Sequence, residues 1–388
     1  TIIRTSDVRK LISEISFIFY PNKIKEKVAV TGTNGKTSIV DYTRQLWNLK
    51  KINSGSLGTL GVFNKKKILN LQLTTPDPVT LNQILNKFSK EGCKKIILEA
   101  SSIGLEQYRL FPIKFDKIAF TNLTNDHLDY HKSFEKYKLA KSLLFSKYSK
   151  KSTIAVINTD SKYSKFFNVL CSREKLKILD FGRKAFFLKI NSIKRIQDSF
   201  QVEILLKKHK STIIFNCISI YEIYNRICSL ILVFGEKISF KDFDFLKQVK
   251  NPPGRLEKIF DKGNIKVFVD YAHTPDALKE VLSALKKICK GNLVLVFGCG
   301  GERDRKKRSL MTKKALFFSD TIIITNDNPR NEDPNKIMTD MIKGLKTNDL
   351  KKINKIGDRE SAIKYSIKLL KKNDVLLIAG KGHESHQI

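Results

Sequence analysis

Val28-Ala-Val-Thr-Gly-Thr-Asn-Gly-Lys-Thr-Ser38 is the stretch that decides the fold. An apolar run stops at a glycine turn carrying a lysine and hydroxyls, and an amphipathic pattern follows to about Lys50. A buried strand that delivers such a turn onto a helix N-terminus makes a phosphate cradle. The glycines let backbone N–H groups close on phosphate oxygens, and the helix points its positive end at the same place. Gly32, Thr33, Asn34 and Gly35 form the loop, Lys36 reaches the β- and γ-phosphates, and Thr37 helps hold Mg²⁺. Two residues separate Gly32 from Gly35, where the usual loop has four, so this is a variant.

Working outward, 388 residues can bury large cores and should hold two domains, perhaps with a fragment of a third. No apolar run is long enough to span a membrane, and the first twenty residues lack a signal peptide's apolar core, so the chain reads as cytoplasmic with no membrane partner. Six cysteines are scattered without a Cys-x-x-Cys pair, which argues against a zinc site or a disulfide framework. The net charge of +35 would suggest nucleic acid, but the lysines run through every segment rather than along one face. It reads as a solvated surface whose field favours nucleotide phosphates, with no nucleic-acid partner.

Two further strand ends carry chemistry. Lys95-Ile-Ile-Leu-Glu99 reads as a buried strand ending in a carboxylate, where Mg²⁺ on a nucleotide needs an oxygen ligand. Lys117 to Thr121 runs into Asn122-Leu-Thr-Asn-Asp-His-Leu-Asp-Tyr-His131, a cluster of histidines and aspartates at the end of a buried strand. From about residue 161 to 212 alternation suggests an antiparallel hairpin without chemistry. Beyond Asn251-Pro-Pro-Gly-Arg-Leu-Glu257, strands alternate with helices again, which predicts a second, mostly parallel sheet.

Thr31-Gly-Thr-Asn-Gly-Lys-Thr37 resembles the loop of the Mur ligases and their folylpolyglutamate synthetase relatives, ATP-driven enzymes that make amide bonds. The resemblance implies an α/β fold: a P-loop-type central ATPase domain with a mostly parallel sheet (26–250), a C-terminal Rossmann-like domain (251–388), and a remnant of an N-terminal domain (1–25). The family's uridine-binding domain is otherwise missing, so the sequence is either a fragment or a reduced enzyme.

Residue by residue, the resemblance carries Thr74 and Thr75 as hydroxyl donors to a UDP-sugar peptide. Glu99-Ala-Ser-Ser-Ile-Gly-Leu-Glu-Gln-Tyr-Arg109 is similar to Glu-x-Ser-Ser-His-Gly-Leu-x-Gln-x-Arg and adds Ser101, Gln107 and Arg109, with Ile103 in place of the histidine. It makes His127 a ligand to a second Mg²⁺. It implies that Lys141 is carbamoylated by CO₂, becoming an anionic metal ligand beside Glu99, His127 and Thr37. ATP contacts extend to Asn225, Arg255, Asp270 and His273, although Glu222 stands where the family has an asparagine.

Asp327-Asn328-Pro329-Arg330 is similar to the segment of the branch that adds meso-2,6-diaminopimelate, whose far carboxylate suits the planar fork of Arg330. Arg303, Gly380 and Glu384 map onto the remaining acceptor contacts, with Glu384 facing an ammonium. The expected function is therefore an ATP-dependent, acyl-phosphate-forming ligase of peptidoglycan precursor synthesis, a monomer, that adds diaminopimelate to UDP-MurNAc-L-Ala-D-Glu. Domain closure at the Pro-Gly hinge should bring Asp270 and His273 to the nucleotide. The alternatives are another Mur or folylpolyglutamate-type ligase, or a nucleotide-binding protein that has lost ligation.

Overall fold

A computed structural model describes residues 4–64 and 66–384. The chain divides into two compact units: 1–125, 131–217 and 221–250 form the first, and 126–130, 218–220 and 251–388 the second.

The first unit is built on an eleven-stranded sheet. Its strands are β1 (Glu26–Thr31), β2 (Ser54–Gly58), β3 (Gly61–Asn64), β4 (Lys66–Leu69), β5 (Lys95–Glu99), β6 (Lys117–Phe120), β7 (Ile154–Asn158), β8 (Lys177–Gly182), β9 (Leu188–Ile196), β10 (Ser199–Leu206) and β11 (His209–Phe215). They lie in the order β11-β10-β9-β8-β7-β6-β1-β5-β2-β3-β4. The strand that ends in the phosphate loop is central and pairs in parallel on both sides, Val28 opposite Ile97 and Lys117.

Its sequence dictates that position. Successive side chains of a strand point to opposite faces, so the unbroken apolar run Val28-Ala29-Val30 must be covered on both. Val28 and Val30 enter one core with Ile39, Trp47 and Ile227, whereas Ala29 enters the other with Leu98, Ile118, Tyr137 and Leu144. The first core is closed by the helix Ile220–Phe234, apolar almost all round. The second is closed in part by the helix Phe134–Ser146, which carries Lys141 on its buried side.

The antiparallel pairing expected after residue 161 is present and larger than a hairpin. β9, β10 and β11 form a three-stranded meander, entered from β8 by a parallel pairing of Phe181 with Leu188. The alternation of buried and half-exposed residues along β10 gives it one wet face.

The second unit has a six-stranded sheet of β12 (Glu257–Lys262), β13 (Ile265–Asp270), β14 (Leu293–Phe297), β15 (Thr321–Ile324), β16 (Ile353–Lys355) and β17 (Val375–Ala379), ordered β12-β13-β17-β14-β15-β16. All neighbours pair in parallel except β12 with β13. β12 and β16 were not predicted: β12 is mostly exposed and charged, and β16 is three residues long. The carboxyl ends of β13, β14, β15 and β17 deliver Asp270, Gly298, Asn326 and Gly380 to one edge, the place where open parallel sheets bind ligands.

Candidate active site

At the end of β1 the loop is held by its neighbour rather than by itself. Thr33 N donates to Asn122 O (2.9 Å), Asn34 N to Asn122 Oδ1 (3.0 Å), and Thr121 Oγ1 to Asn34 O (2.7 Å). Thr33 Oγ1 lies 3.0 Å from Tyr137 OH. The residues just beyond β6 thus clamp the loop, a role the sequence reading missed. The signal was present as a polar Thr-Asn-Leu-Thr run after a buried strand.

Gly35 starts the helix Lys36–Leu49 in the left-handed region at φ 90°. A Cβ there would sit 2.6 Å from Asn225 Oδ1, so only glycine lets Asn225 approach the loop. This brings Asn225, read as an ATP contact, onto the loop itself. Glu222, which replaces a family asparagine, is buried 3.9 Å from Arg226 one helical turn on.

Lys36 Nζ donates to Gly32 O (2.9 Å) and Thr33 O (2.8 Å). Lys141, 1% exposed, donates to the same Gly32 O at 2.8 Å and lies over the Tyr137 ring. Glu99 ends β5 fully buried. Its Oε2 accepts from Thr37 Oγ1 (3.0 Å) and Thr59 Oγ1 (3.2 Å), and its Oε1 from Thr59 N (2.8 Å). A buried carboxylate and a hydroxyl this close, beside a phosphate loop, are hard oxygen donors that fit Mg²⁺ sharing its other positions with phosphate and water.

His127 belongs to residues 126–130, which cluster with the second unit, and its ring lies 3.5 Å from Asp126 Oδ2. Among the described residues no group of three or more His, Cys, Asp and Glu could by itself hold a metal.

The residues read as sugar-peptide contacts form one connected turn. Thr75 Oγ1 donates to Glu99 O (2.7 Å) and accepts from Ser101 N (3.0 Å), and Arg109 Nη1 donates to Thr75 O (2.9 Å). Ser101 Oγ caps the helix Ser102–Glu106 through Gly104 N, and Arg109 Nη2 donates to Gln107 Oε1 (2.7 Å). Thr75, 1% exposed, is therefore a spacer that sets the Glu99 strand end, while Thr74 sits with its hydroxyl 3.2 Å from Thr59 Oγ1.

In the second unit, Asp270 accepts from Leu256 N (2.6 Å) and Ala272 N (2.7 Å), fixing the turns at Arg255 and His273. Burial holds the His273 imidazole below its usual range, so it is neutral near pH 7. Glu384 accepts from Tyr271 OH (3.0 Å) and Asn328 Nδ2 (3.3 Å); Lys381 Nζ donates to Asn328 Oδ1 (2.8 Å). Burial pulls the Lys381 ammonium below the usual lysine range.

Arg330, at φ 52°, turns its Nη1 onto Gly301 O (2.7 Å) and Asn328 O (3.3 Å). Gly380 leaves room for Asp327, whose Oδ2 would be 2.8 Å from a Cβ there. Arg303 is half exposed, 3.8 Å from Asp129. Beneath these loops lies a residue the sequence reading passed over. Arg308, fully buried, donates from Nη1 and Nη2 to the two oxygens of Glu332 (2.7 Å each) and to Asp340 (2.9 Å). Glu332 also accepts from Glu302 N (3.0 Å), so this pair ties the loop after β14 to the loop after β15.

Chemically, one unit can hold and polarise a polyphosphate, and the other offers a fixed carboxylate and a guanidinium that together suit an amino acid. That division of labour is the anatomy of an ATP-dependent ligase forming amide bonds. The Mur ligase middle domain matches residues 30–233, and the Mur ligase glutamate ligase domain matches residues 254–382. The UDP-N-acetylmuramoyl-L-alanyl-D-glutamate--2,6-diaminopimelate ligase of Rickettsia montanensis is 39% identical over all of this chain and 81% of its own length. That of Aquifex aeolicus is 36% identical, again over all of this chain and 79% of its own. A solved structure of a ligase of the same name superposes with a TM-score of 0.68 at 33% identity, covering 99% of this chain and 80% of the other. The chain belongs to the Mur ligase family.

Proposed function

We propose that this enzyme joins meso-2,6-diaminopimelate to UDP-MurNAc-L-Ala-D-Glu at the expense of ATP. The observation that carries the acceptor's identity is the continuity of Glu384, Asn328 and Arg330: Asn328 donates to the carboxylate, and its own carbonyl accepts from the guanidinium. An ammonium and a carboxylate on one carbon at the far end of the acceptor match that pair. L-Lysine, which lacks the carboxylate, leaves the fork unpaired.

A carboxylate is a poor electrophile. The terminal carboxylate of the UDP-linked dipeptide attacks the γ-phosphorus, ADP leaves, and the acyl phosphate is captured by the acceptor amine with loss of phosphate. Lys36 and the loop amides bear the charge that spreads over the transferring phosphoryl. Glu99 and Thr37 would hold Mg²⁺, which supplies charge neutralisation on the polyphosphate when bound. Asn225, Arg255, Asp270 and His273 are assigned to ATP, and Thr74, Ser101, Gln107 and Arg109 to the sugar peptide. Lys141 would act as its carbamate, its charge reversed; ¹³C-bicarbonate labelling, read as a carbamate resonance lost in K141A, tests that assignment. Arg303, Asp327 and Gly380 complete the acceptor side.

The test of the function is phosphate release from MgATP with the UDP-linked dipeptide, comparing diaminopimelate with L-lysine. Turnover confined to diaminopimelate supports the reading; turnover confined to lysine removes the role given to Arg330, and ATP binding without turnover with either acceptor removes the ligase.

A further inference from the structure

Between the residue assigned to phosphate and the residue assigned to the acceptor ammonium stands a side chain with no role so far. Tyr271 follows Asp270 at the end of β13, and Asp270 accepts from Ala272 N, on the far side of Tyr271, and from Leu256 N. Its hydroxyl donates to Glu384 Oε1 at 3.0 Å, and the Arg255 guanidinium lies over its ring, 4.3 Å from the centroid. The backbone of Gly382 closes on the same ring, a Cβ there falling 3.1 Å from Tyr271 Cδ2. One rigid side chain thus touches two charged groups of opposite sign by two different means, a hydrogen bond at its tip and a cation–π contact on its face.

We propose that Tyr271 is a positioning residue: its hydroxyl aims the Glu384 carboxylate at the acceptor ammonium, and its ring holds the Arg255 guanidinium for the nucleotide phosphates. The proposal rests on the acceptor and phosphate assignments above. A carboxylate rotates about its last bond; among the described residues Tyr271 OH and Asn328 Nδ2 each donate to one oxygen, and Lys381 Nζ lies 3.8 Å from the second. Burial and the neighbouring Glu384 push the phenol well above its usual range, so it remains a donor throughout the physiological range. Because the two contacts use different parts of the side chain, they can be removed separately.

Tyr271→Phe keeps the ring and loses the hydroxyl; Tyr271→Leu loses both. In the full chain, Y271F should raise the acceptor KM about ten- to a hundredfold, the range for losing a hydrogen bond to a charged group. The MgATP KM should stay within about twofold. Y271L should raise both. In an E384A background, Y271F should add less than about twofold, since the partner of its hydroxyl is already gone.

The ratios are taken with whichever amino acid the wild type uses, so the identity of that acceptor tests the function while the Y271F ratio tests Tyr271. Acceptor Kd by calorimetry gives the same ratio without turnover. An acceptor KM and Kd unchanged in Y271F, or Y271F and Y271L moving both substrates alike as a general structural loss would, overturns the proposal.

Discussion

Arg330→Met is the sharpest perturbation of the acceptor assignment, because its effect can be read as a ratio. The guanidinium has five N–H donors, and the protein takes two bonds from Nη1, to Gly301 O and Asn328 O. Nε and Nη2 remain to face a carboxylate in the bidentate geometry. Two charge-assisted bonds contribute about 3–5 kcal/mol together, or about two to four powers of ten in kcat/KM. Methionine also abandons the two carbonyls, a loss of about 1 kcal/mol each that falls equally on any acceptor.

Dividing kcat/KM for diaminopimelate by that for L-lysine cancels the shared loss and leaves the carboxylate contact. The ratio should fall about 300-fold in R330M. R330K, which keeps the charge but not the fork, should fall about tenfold. The assay is initial-rate phosphate release with both amino acids across their KM values. A ratio within about threefold of wild type in R330M would refute the assignment of the guanidinium to the distal carboxylate.

Three other perturbations follow from the loops. Gly35→Ala must hold a Cβ at φ 90° against Asn225 Oδ1. It should raise the MgATP KM at least about tenfold and lower Tm by a few degrees, as about 1–2 kcal/mol of strain would. Asn122→Ala takes its side-chain bonds from Asn34 N and Asn34 O, leaving Asn34 O held by Thr121 Oγ1 alone, and should weaken MgATP binding about tenfold, measured by calorimetry, with acceptor KM unmoved. Arg308→Met leaves the carboxylates of Glu332 and Asp340 without their buried cation and should cost about 3–5 kcal/mol in urea unfolding. Arg308 holds the Glu332 carboxyl down to about 2. A lowered acid stabilises the fold above its unfolded pKa, near 4.5, and loses that contribution as pH falls toward 2. The gap between wild type and R308M should therefore narrow between pH 5 and pH 2, by urea titration.

What the sequence disclosed was what lies close together in it. The loop, the strand-end Glu99 and the Asp-Asn-Pro-Arg turn are each local patterns whose chemistry needs no knowledge of tertiary contacts. The clamp on the loop was hidden because Asn122 meets Asn34 across 88 positions. Arg308 was hidden for another reason: it sits in a Lys-Lys-Arg run that looks like a solvated helix face, yet its guanidinium is wholly enclosed. Thr75 shows the converse, a residue read from the sequence as a substrate contact whose hydroxyl is bonded to backbone groups. Glu222 reads as a lost asparagine in the sequence, whereas the helix turns it toward Arg226. In each case the decisive partner is distant in the chain or one turn away on a helix, where one-dimensional spacing carries little.

The carbonyl of Gly32 receives two ammonium groups, those of Lys36 and Lys141. Two amines held on one oxygen lie within about 6 Å of each other and, when both are protonated, repel by about 3 kcal/mol at an effective dielectric near ~20. The loop is thus a crowded junction that gains whenever either charge is drawn off or inverted. A triphosphate that draws Lys36 outward would recover part of that repulsion, and so would the carbamate proposed for Lys141. Each relieves the same crowding, so dissolved bicarbonate and nucleotide affinity should be thermodynamically linked in this enzyme, through one backbone oxygen.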